Sequence, residues 1–211
     1  MPIEATVDLS AALGQTRYQG KRRTCVAFAM SDLNQFHNHC PEWLSPEHLY
    51  CSAAKITAAW IPHWGMAVDS GIRILKHWGQ PTEQNAPYAN SEPTQIPPTI
   101  PASQPPLYKY EFVAVRPSAQ YVIDRLTQGA PVGLLTMLTH SFFYPANGTV
   151  AFSPQALDKS HHAVIACGHG ADADTGNIYI KLRNSWGSGW GQGGHAWIPA
   201  AYVDQHSLLA F

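Results

Sequence analysis

Charge is sparse in this sequence. Only 13% of its 211 residues are Asp, Glu, Lys or Arg, and 13 basic residues against 14 acidic ones leave a net charge of −1. That balance offers no electrostatic footprint for nucleic acid or an anionic membrane surface. No run of about 18 apolar residues occurs, so no membrane span is expected. The N-terminal stretch MPIEATVDLSAALG has no basic segment leading into an apolar one, so no signal peptide is expected. The four cysteines (Cys25, Cys40, Cys51 and Cys167) lack C-x-x-C spacing, and without an export signal free thiols are the default reading. The expected location is the cytoplasm, or a destination reached by a signal-peptide-independent route. Internal repeats are absent as well.

What is present is punctuation. The 17 prolines and 16 glycines suit a loop-rich fold rather than a helical bundle, and the length suits a single domain over residues 1–211. From Thr24 a helix is predicted, with Thr24 as cap and Val26, Ala29, Met30, Leu33 and Phe36 at helical spacing; Pro41 ends the segment. LSPEHLYCSAAK predicts a second helix, with Ser45 as N-cap, Pro46 at the first position and Glu47 in the first turn. A third is predicted from Val68 to Trp78, burying Ile72, Leu75 and Trp78, with Gly79 as its stop. The Pro-rich segment 91–106 reads as an exposed loop. Beyond it, YKYEFVAV, GLLTML, HHAVIACGHG, NIYIKLRNSW and GGHAWIPAAYV read as strands, with a helix near Ala119 to Gln128. The expectation is α+β: a helical lobe over about 15–105, a β-rich lobe over about 107–203, and a cleft between them.

Cys25 is the residue that suggests chemistry. It follows a basic loop, QGKRRT, at a predicted helix start. The unpaired N–H groups there and Lys21, Arg22 and Arg23 favour thiolate over thiol. A buried structural cysteine is the alternative on position alone. A thiolate in acyl transfer needs a base that also protonates the leaving amine, and histidine suits neutral pH. Among 11 histidines, His162 stands at the mouth of an apolar strand, and Asn184 and Trp186 follow at the end of another. An amide can orient an imidazole, and an indole can shield that contact from water.

Gln19-Gly20 through Cys25-Val26-Ala27-Phe28, His162-Ala163-Val164, and Asn184-Ser185-Trp186-Gly187 with Gly189-Trp190-Gly191 together resemble the papain-like cysteine peptidases. The three blocks stand in the family's order from about Gln15 to Val203, and LSPEHLYCS resembles a helix of the same family. The resemblance implies an α+β papain-like two-lobe fold. It also implies a thiol protease in which Cys25 is the nucleophile, His162 its ion-pair partner and acid/base, and Asn184 the group orienting His162. Gln19 would donate to the oxyanion beside the Cys25 N–H. Trp186 would shield the imidazole, and Trp186 and Trp190 would wall the leaving-group side. Gly65 and Met66 would pair with an extended substrate.

Several positions depart from the family pattern. Arg22 stands where the animal and plant enzymes have a cysteine, so the disulfide beside the nucleophile cannot form; this looks closer to bacterial members. Val26 replaces a tryptophan, Met66 replaces a glycine, and His161 stands beside His162. Only 18 residues precede Gln19, too few for the family's inhibitory segment.

The partners implied are a peptide or protein substrate and a protein inhibitor or regulator, with no nucleic acid and no membrane span; a monomer is the default. No cofactor is expected. No metal is expected either, because His37, His39, Cys40, His48 and Cys51 fit no common tetrahedral spacing. Two alternatives stay open. The same thioester chemistry would serve a transpeptidase or deamidase, and a non-catalytic binding relative would keep the fold without turnover.

Overall fold

The computed structural model describes residues 2–95 and 106–211. They fall into two compact units, one formed by Gln19–Ala114 and the other by Met1–Tyr18 with Val115–Phe211. Most of the predicted Pro-rich loop, residues 96–105, lies outside the described residues.

Helices build the first unit: α1 (Cys25–His37), α2 (Pro46–Ile56) and α3 (Val68–His77). In α1, Val26, Ala29, Met30 and Leu33 are buried as their spacing predicts. Thr24, however, does not cap the helix. Its hydroxyl is engaged by the Tyr88 hydroxyl at 2.7 Å instead. In α2 the cap is as expected: Ser45 Oγ accepts the His48 N–H at 3.0 Å, and Pro46 occupies the first turn. Such a cap is worth about 1 kcal/mol.

The predicted stripe of α3 is only partly right. Leu75 is buried, but the other buried residues are Val68, Gly71 and Ile74, while Trp78 is 52% exposed and follows the helix. Gly71 is a point of close approach on the buried face. A Cβ there would lie 2.5 Å from Met30 Sδ and 2.9 Å from Met66 Cε. Trp78, seven residues on, would share that face in a continuing helix, but the helix ends at His77 and the indole is released to solvent. Buried amides then join these elements: Asn34 Nδ2 donates to Gln80 Oε1 (3.0 Å), and Gln80 Nε2 donates to Ser31 Oγ (2.9 Å) and Ser45 O (3.0 Å).

The second unit is a sheet with helices. Its strands are β1 (Ile3–Asp8), β2 (Val132–Met137), β3 (His161–Asp172), β4 (Ile178–Arg183), β5 (His195–Pro199) and β6 (Ser207–Ala210). The order is β5-β4-β3-β2-β6, all antiparallel, with β1 also pairing β3. Helices α4 (Ala119–Thr127), α5 (His140–Phe143) and α6 (Ala200–His206) belong to the same unit. Val122 and Leu126 of α4, Leu134 of β2, Val164 of β3, Ile180 and Leu182 of β4, Ile198 of β5 and Tyr202 of α6 share one core. Fully burying each large apolar side chain contributes roughly 1.5–3 kcal/mol.

Two expectations are corrected here. YKYEFVAV forms no strand; only Tyr108 and Val115 make isolated bridges, to Gln80 and Ala210. Without a continuous neighbour its backbone cannot form a ladder, whatever its β propensity. GGHAWIPAAYV is a strand only to Pro199 and then turns helical as α6. Near the N-terminus, where no strand is predicted, β1 pairs with residues far along the chain, Ile3 with Asp172.

Candidate active site

The β-rich unit assembles a histidine site at one end of its sheet. His162, the second residue of β3, is fixed by its register opposite Thr136 of β2. Asn184 follows the last residue of β4. Arg183 holds that strand end by donating to the carbonyls of Gly14 (2.7 Å) and Gln15 (2.5 Å). The Asn184 N–H donates to Gly194 O at 3.0 Å, and the Gly187 N–H to Arg17 O at 3.0 Å. The turn bearing Asn184 and Trp186 is thus tied on both sides.

Asn184 Oδ1 accepts two hydrogen bonds, from the Ser185 N–H at 2.8 Å and from His162 Nε2 at 2.7 Å. A backbone N–H can only donate, so the atom it meets must be the amide oxygen. His162 Nε2 must then carry a proton. The neutral imidazole is therefore the Nε2–H tautomer, and Nδ1 is its basic nitrogen. Burial pushes the His162 pKa down to about 4, while the Asn184 bond works in the opposite direction.

Aromatic rings enclose the pair. Trp186 lies 4.5 Å from the His162 ring, and Phe142 meets both edge-on at 6.2 and 5.8 Å. Phe143 stacks on Trp186 at 5.5 Å. Trp190 is 6% exposed and lies in the unit's core, its Nε1 donating to Phe142 O at 2.9 Å. Its contact with Trp186 is edge-on at 6.1 Å, so a core side chain supports that indole. Excluding water in this way strengthens the imidazole–amide bond and disfavours a lone imidazolium.

The helical unit carries the other sequence-predicted residues. Cys25 is the first residue of α1 and is partly exposed, at the positive end of the helix. Cys40, Cys51 and Cys167 are buried, and none of the four cysteines is in a disulfide. Burial pushes the Cys167 thiol up to about 12 and raises that of Cys51 as well, as expected of inert core thiols. Gln19 is buried, and its Nε2 donates to Arg22 O at 2.7 Å. Gly65 has φ of +86°, and a Cβ on it would stand 3.0 Å from Arg23 O. The fold thus seats Gly65 against the loop that leads into Cys25. Met66 packs against the cluster formed by Ala27, Tyr50, Cys51, Ala54 and Trp60.

With this geometry in place, comparison with known proteins is decisive. The pattern of the papain family cysteine proteases matches residues 5–206. The chain belongs to the papain family of cysteine proteases. It is 32% identical to fruit bromelain of Ananas comosus over 122 residues, 58% of this chain and 33% of that protein. It is 30% identical to a cysteine protease of Blomia tropicalis over 204 residues, 91% of this chain and 59% of that one. The chain thus spans between a third and three-fifths of these relatives' own length. Among solved structures, the cysteine protease xylellain from Xylella fastidiosa superposes with a TM-score of 0.76 at 22% identity, covering 99% of this chain and 85% of that one. The fold is the α+β papain fold.

Against the family pattern, several residues around the site escaped the sequence reading. Phe142 and Phe143 sit in a short helix that periodicity cannot detect. Tyr88 donates its hydroxyl to Gln19 O at 2.8 Å, with no local signal to mark it. Glu47 appeared only as a first-turn helix charge, and Glu92 only as part of a Pro-rich loop. Both instead meet Arg22.

Proposed function

We propose that this chain is a cysteine peptidase that hydrolyses peptide bonds through a thioester formed on Cys25. The observation that carries the reading is the His162 Nε2–Asn184 Oδ1 bond under Trp186, which leaves Nδ1 as the basic nitrogen and so supports proton transfer there. The Cys25 thiolate attacks the substrate carbonyl carbon. The resulting oxyanion accepts from the Cys25 N–H and Gln19 Nε2, each such donor contributing about 3 kcal/mol in the transition state. Protonated His162 delivers the Nδ1 proton to the departing amine as the C–N bond breaks. Neutral His162 then takes a proton from water, whose oxygen attacks the thioester. A second oxyanion collapses to release the acid and restore the thiolate–imidazolium pair.

Because burial disfavours a lone imidazolium at His162, the ion pair depends on Cys25 supplying the opposite charge. Extended substrate would run along the Gly65 backbone, with Met66 narrowing the second pocket and Trp186 on the leaving-group side. Arg22 in place of the family's cysteine places the chain, in this reading, with members that lack the disulfide beside the nucleophile.

The test is labelling by a thiol-directed epoxide under reducing conditions, with the adduct mapped by mass spectrometry. Rapid labelling at Cys25, lost in Cys25→Ala and slowed in His162→Ala, together with release of two new peptide ends from a peptide library, is the expected result. Absence of selective labelling would overturn the catalytic reading. Ligated products would assign a transpeptidase, and ammonia release from glutamine a deamidase.

A further inference from the structure

A buried ionic cluster stands directly behind the loop that carries Gln19 and leads to Cys25. Arg22 is 3% exposed, Glu47 is 7% exposed, and the Glu92 side chain is 5% exposed. The Arg22 guanidinium makes four hydrogen bonds. Nη1 donates to Glu47 Oε2 and to Ala89 O (2.6 Å), Nη2 to Glu47 Oε1 (3.3 Å) and Nε to Glu92 Oε2 (3.0 Å). Its Cζ lies over two rings, 4.9 Å from the centre of Tyr88 and 5.1 Å from that of Tyr50. The carboxylates are held in turn: Glu47 accepts from the Ala89 N–H (3.2 Å), and Glu92 from the Tyr50 hydroxyl and the His63 N–H (3.1 Å). Burial opposes these charges. The two glutamates nonetheless hold Arg22 above its ordinary pKa, and the bonds from Tyr50, His63 and Arg22 hold Glu92 below the ordinary carboxylate value.

The backbone of Arg22 points this cluster at the proposed chemistry. Its carbonyl accepts one Nε2 hydrogen of Gln19 at 2.7 Å. An amide is planar, so fixing one N–H fixes the direction of the other. The far end of the loop is fixed as well. Tyr88 gives its only hydroxyl proton to Gln19 O, so Thr24 Oγ1 must be the donor in the 2.7 Å contact with Tyr88. Tyr88 therefore ties Gln19 to the residue before Cys25 while packing on the guanidinium that anchors Arg22.

We propose that Arg22, clamped between Glu47 and Glu92, is the positioning residue of the Gln19 oxyanion donor, acting through its own carbonyl. The inference rests on the proposed peptidase mechanism. An arginine is required because four acceptors in a fixed plane must be met at once. Lysine offers three donors on a single rotating nitrogen.

The experiment separates this role from general stability and from the mechanism itself. Wild type, Arg22→Lys, Glu92→Gln and Gln19→Ala are compared by peptide hydrolysis and by the rate of Cys25 alkylation with iodoacetamide. Alkylation displaces iodide at carbon without forming an oxyanion, so it does not need Gln19. Arg22→Lys is expected to lower kcat by roughly 10- to 100-fold with KM within about 2-fold, as displacement of a catalytic donor does. Cys25 alkylation should stay within about 2-fold of wild type. In the Gln19→Ala background, Arg22→Lys should cost no more than about 2-fold further, because the donor it positions is already gone. Glu92→Gln, which keeps the shape, should show the same pattern more weakly and serves if Arg22→Lys does not fold. Equal losses of alkylation and hydrolysis, or an Arg22→Lys effect that multiplies fully with Gln19→Ala, would overturn the proposal. Wild type that neither alkylates selectively nor hydrolyses peptide would overturn the underlying mechanism instead.

Discussion

His162 Nε2 donates to Asn184 Oδ1 at 2.7 Å, and the neighbouring Ser185 N–H leaves that oxygen no freedom to flip. The amide is thus a fixed acceptor, and the imidazole has one orientation and one tautomer. Orienting a base matters less than having one. Asn184→Ala is expected to lower kcat/KM by about 10- to 100-fold, and His162→Ala by about 10²- to 10⁴-fold. Equal losses in steady-state hydrolysis would show that Asn184 does more than orient the ring.

Cys25→Ala should abolish peptide turnover and leave the melting temperature within about 3 °C of wild type. The residue is partly exposed at the first position of α1, and alanine suits a helix. Residual turnover at more than about 1% of wild type, with a wild-type melt, would remove Cys25 from the role of nucleophile.

Gln19→Ala should act on kcat, by roughly 10²- to 10³-fold, because the donor serves the transition state more than the ground state. A change confined to KM in the same assay would make Gln19 a substrate-binding residue instead.

His162 should titrate differently with and without the thiol. In Cys25→Ala, burial should hold the imidazole near its depressed value of about 4, read by NMR of the ring protons. In wild type a thiolate partner should raise it. Identical titration in the two proteins would rule out the ion pair.

His48 sets an acid limit on stability. It is buried in the first turn of α2, where burial lowers its pKa from 6.5 to about 4. The unfolded chain binds the proton below about 6.5 and the fold resists it until about 4, so stability falls as pH drops through that window. Integrated, the loss is on the order of 3 kcal/mol at pH 4 and below. Denaturant titrations from pH 7 to 4 should show a smaller acid loss in His48→Met than in wild type. An unchanged slope would place the acid sensitivity elsewhere.

How far the residues alone led can be seen element by element. Ser45, Pro46 and Glu47 announced α2 because capping is local chemistry between groups three residues apart. Thr24 misled because its hydroxyl has a better partner in Tyr88, 64 positions away. Ile72 and Trp78 fell at helical spacing, yet the helix stops at His77 before Trp78, and Gly71 is buried by its approach to Met30, which no periodicity contains. Strand β1 was missed because its stabilising neighbour lies at the other end of the chain.

By itself the sequence determined the chemistry on offer: a thiol at a helix start, an imidazole at a strand mouth, an amide and indole twenty-odd residues on, and a glutamine six residues before the thiol. Local spacing suffices for that, because reactive groups must be of particular types and stand at element ends. Only the tertiary structure decided the protonated nitrogen of His162, the support of Trp186 by Trp190, and the pairing of Arg22 with Glu47 and Glu92. Those outcomes depend on burial and on partners from distant segments. A charge or an imidazole takes its physical character from its neighbours, which the order of residues does not state.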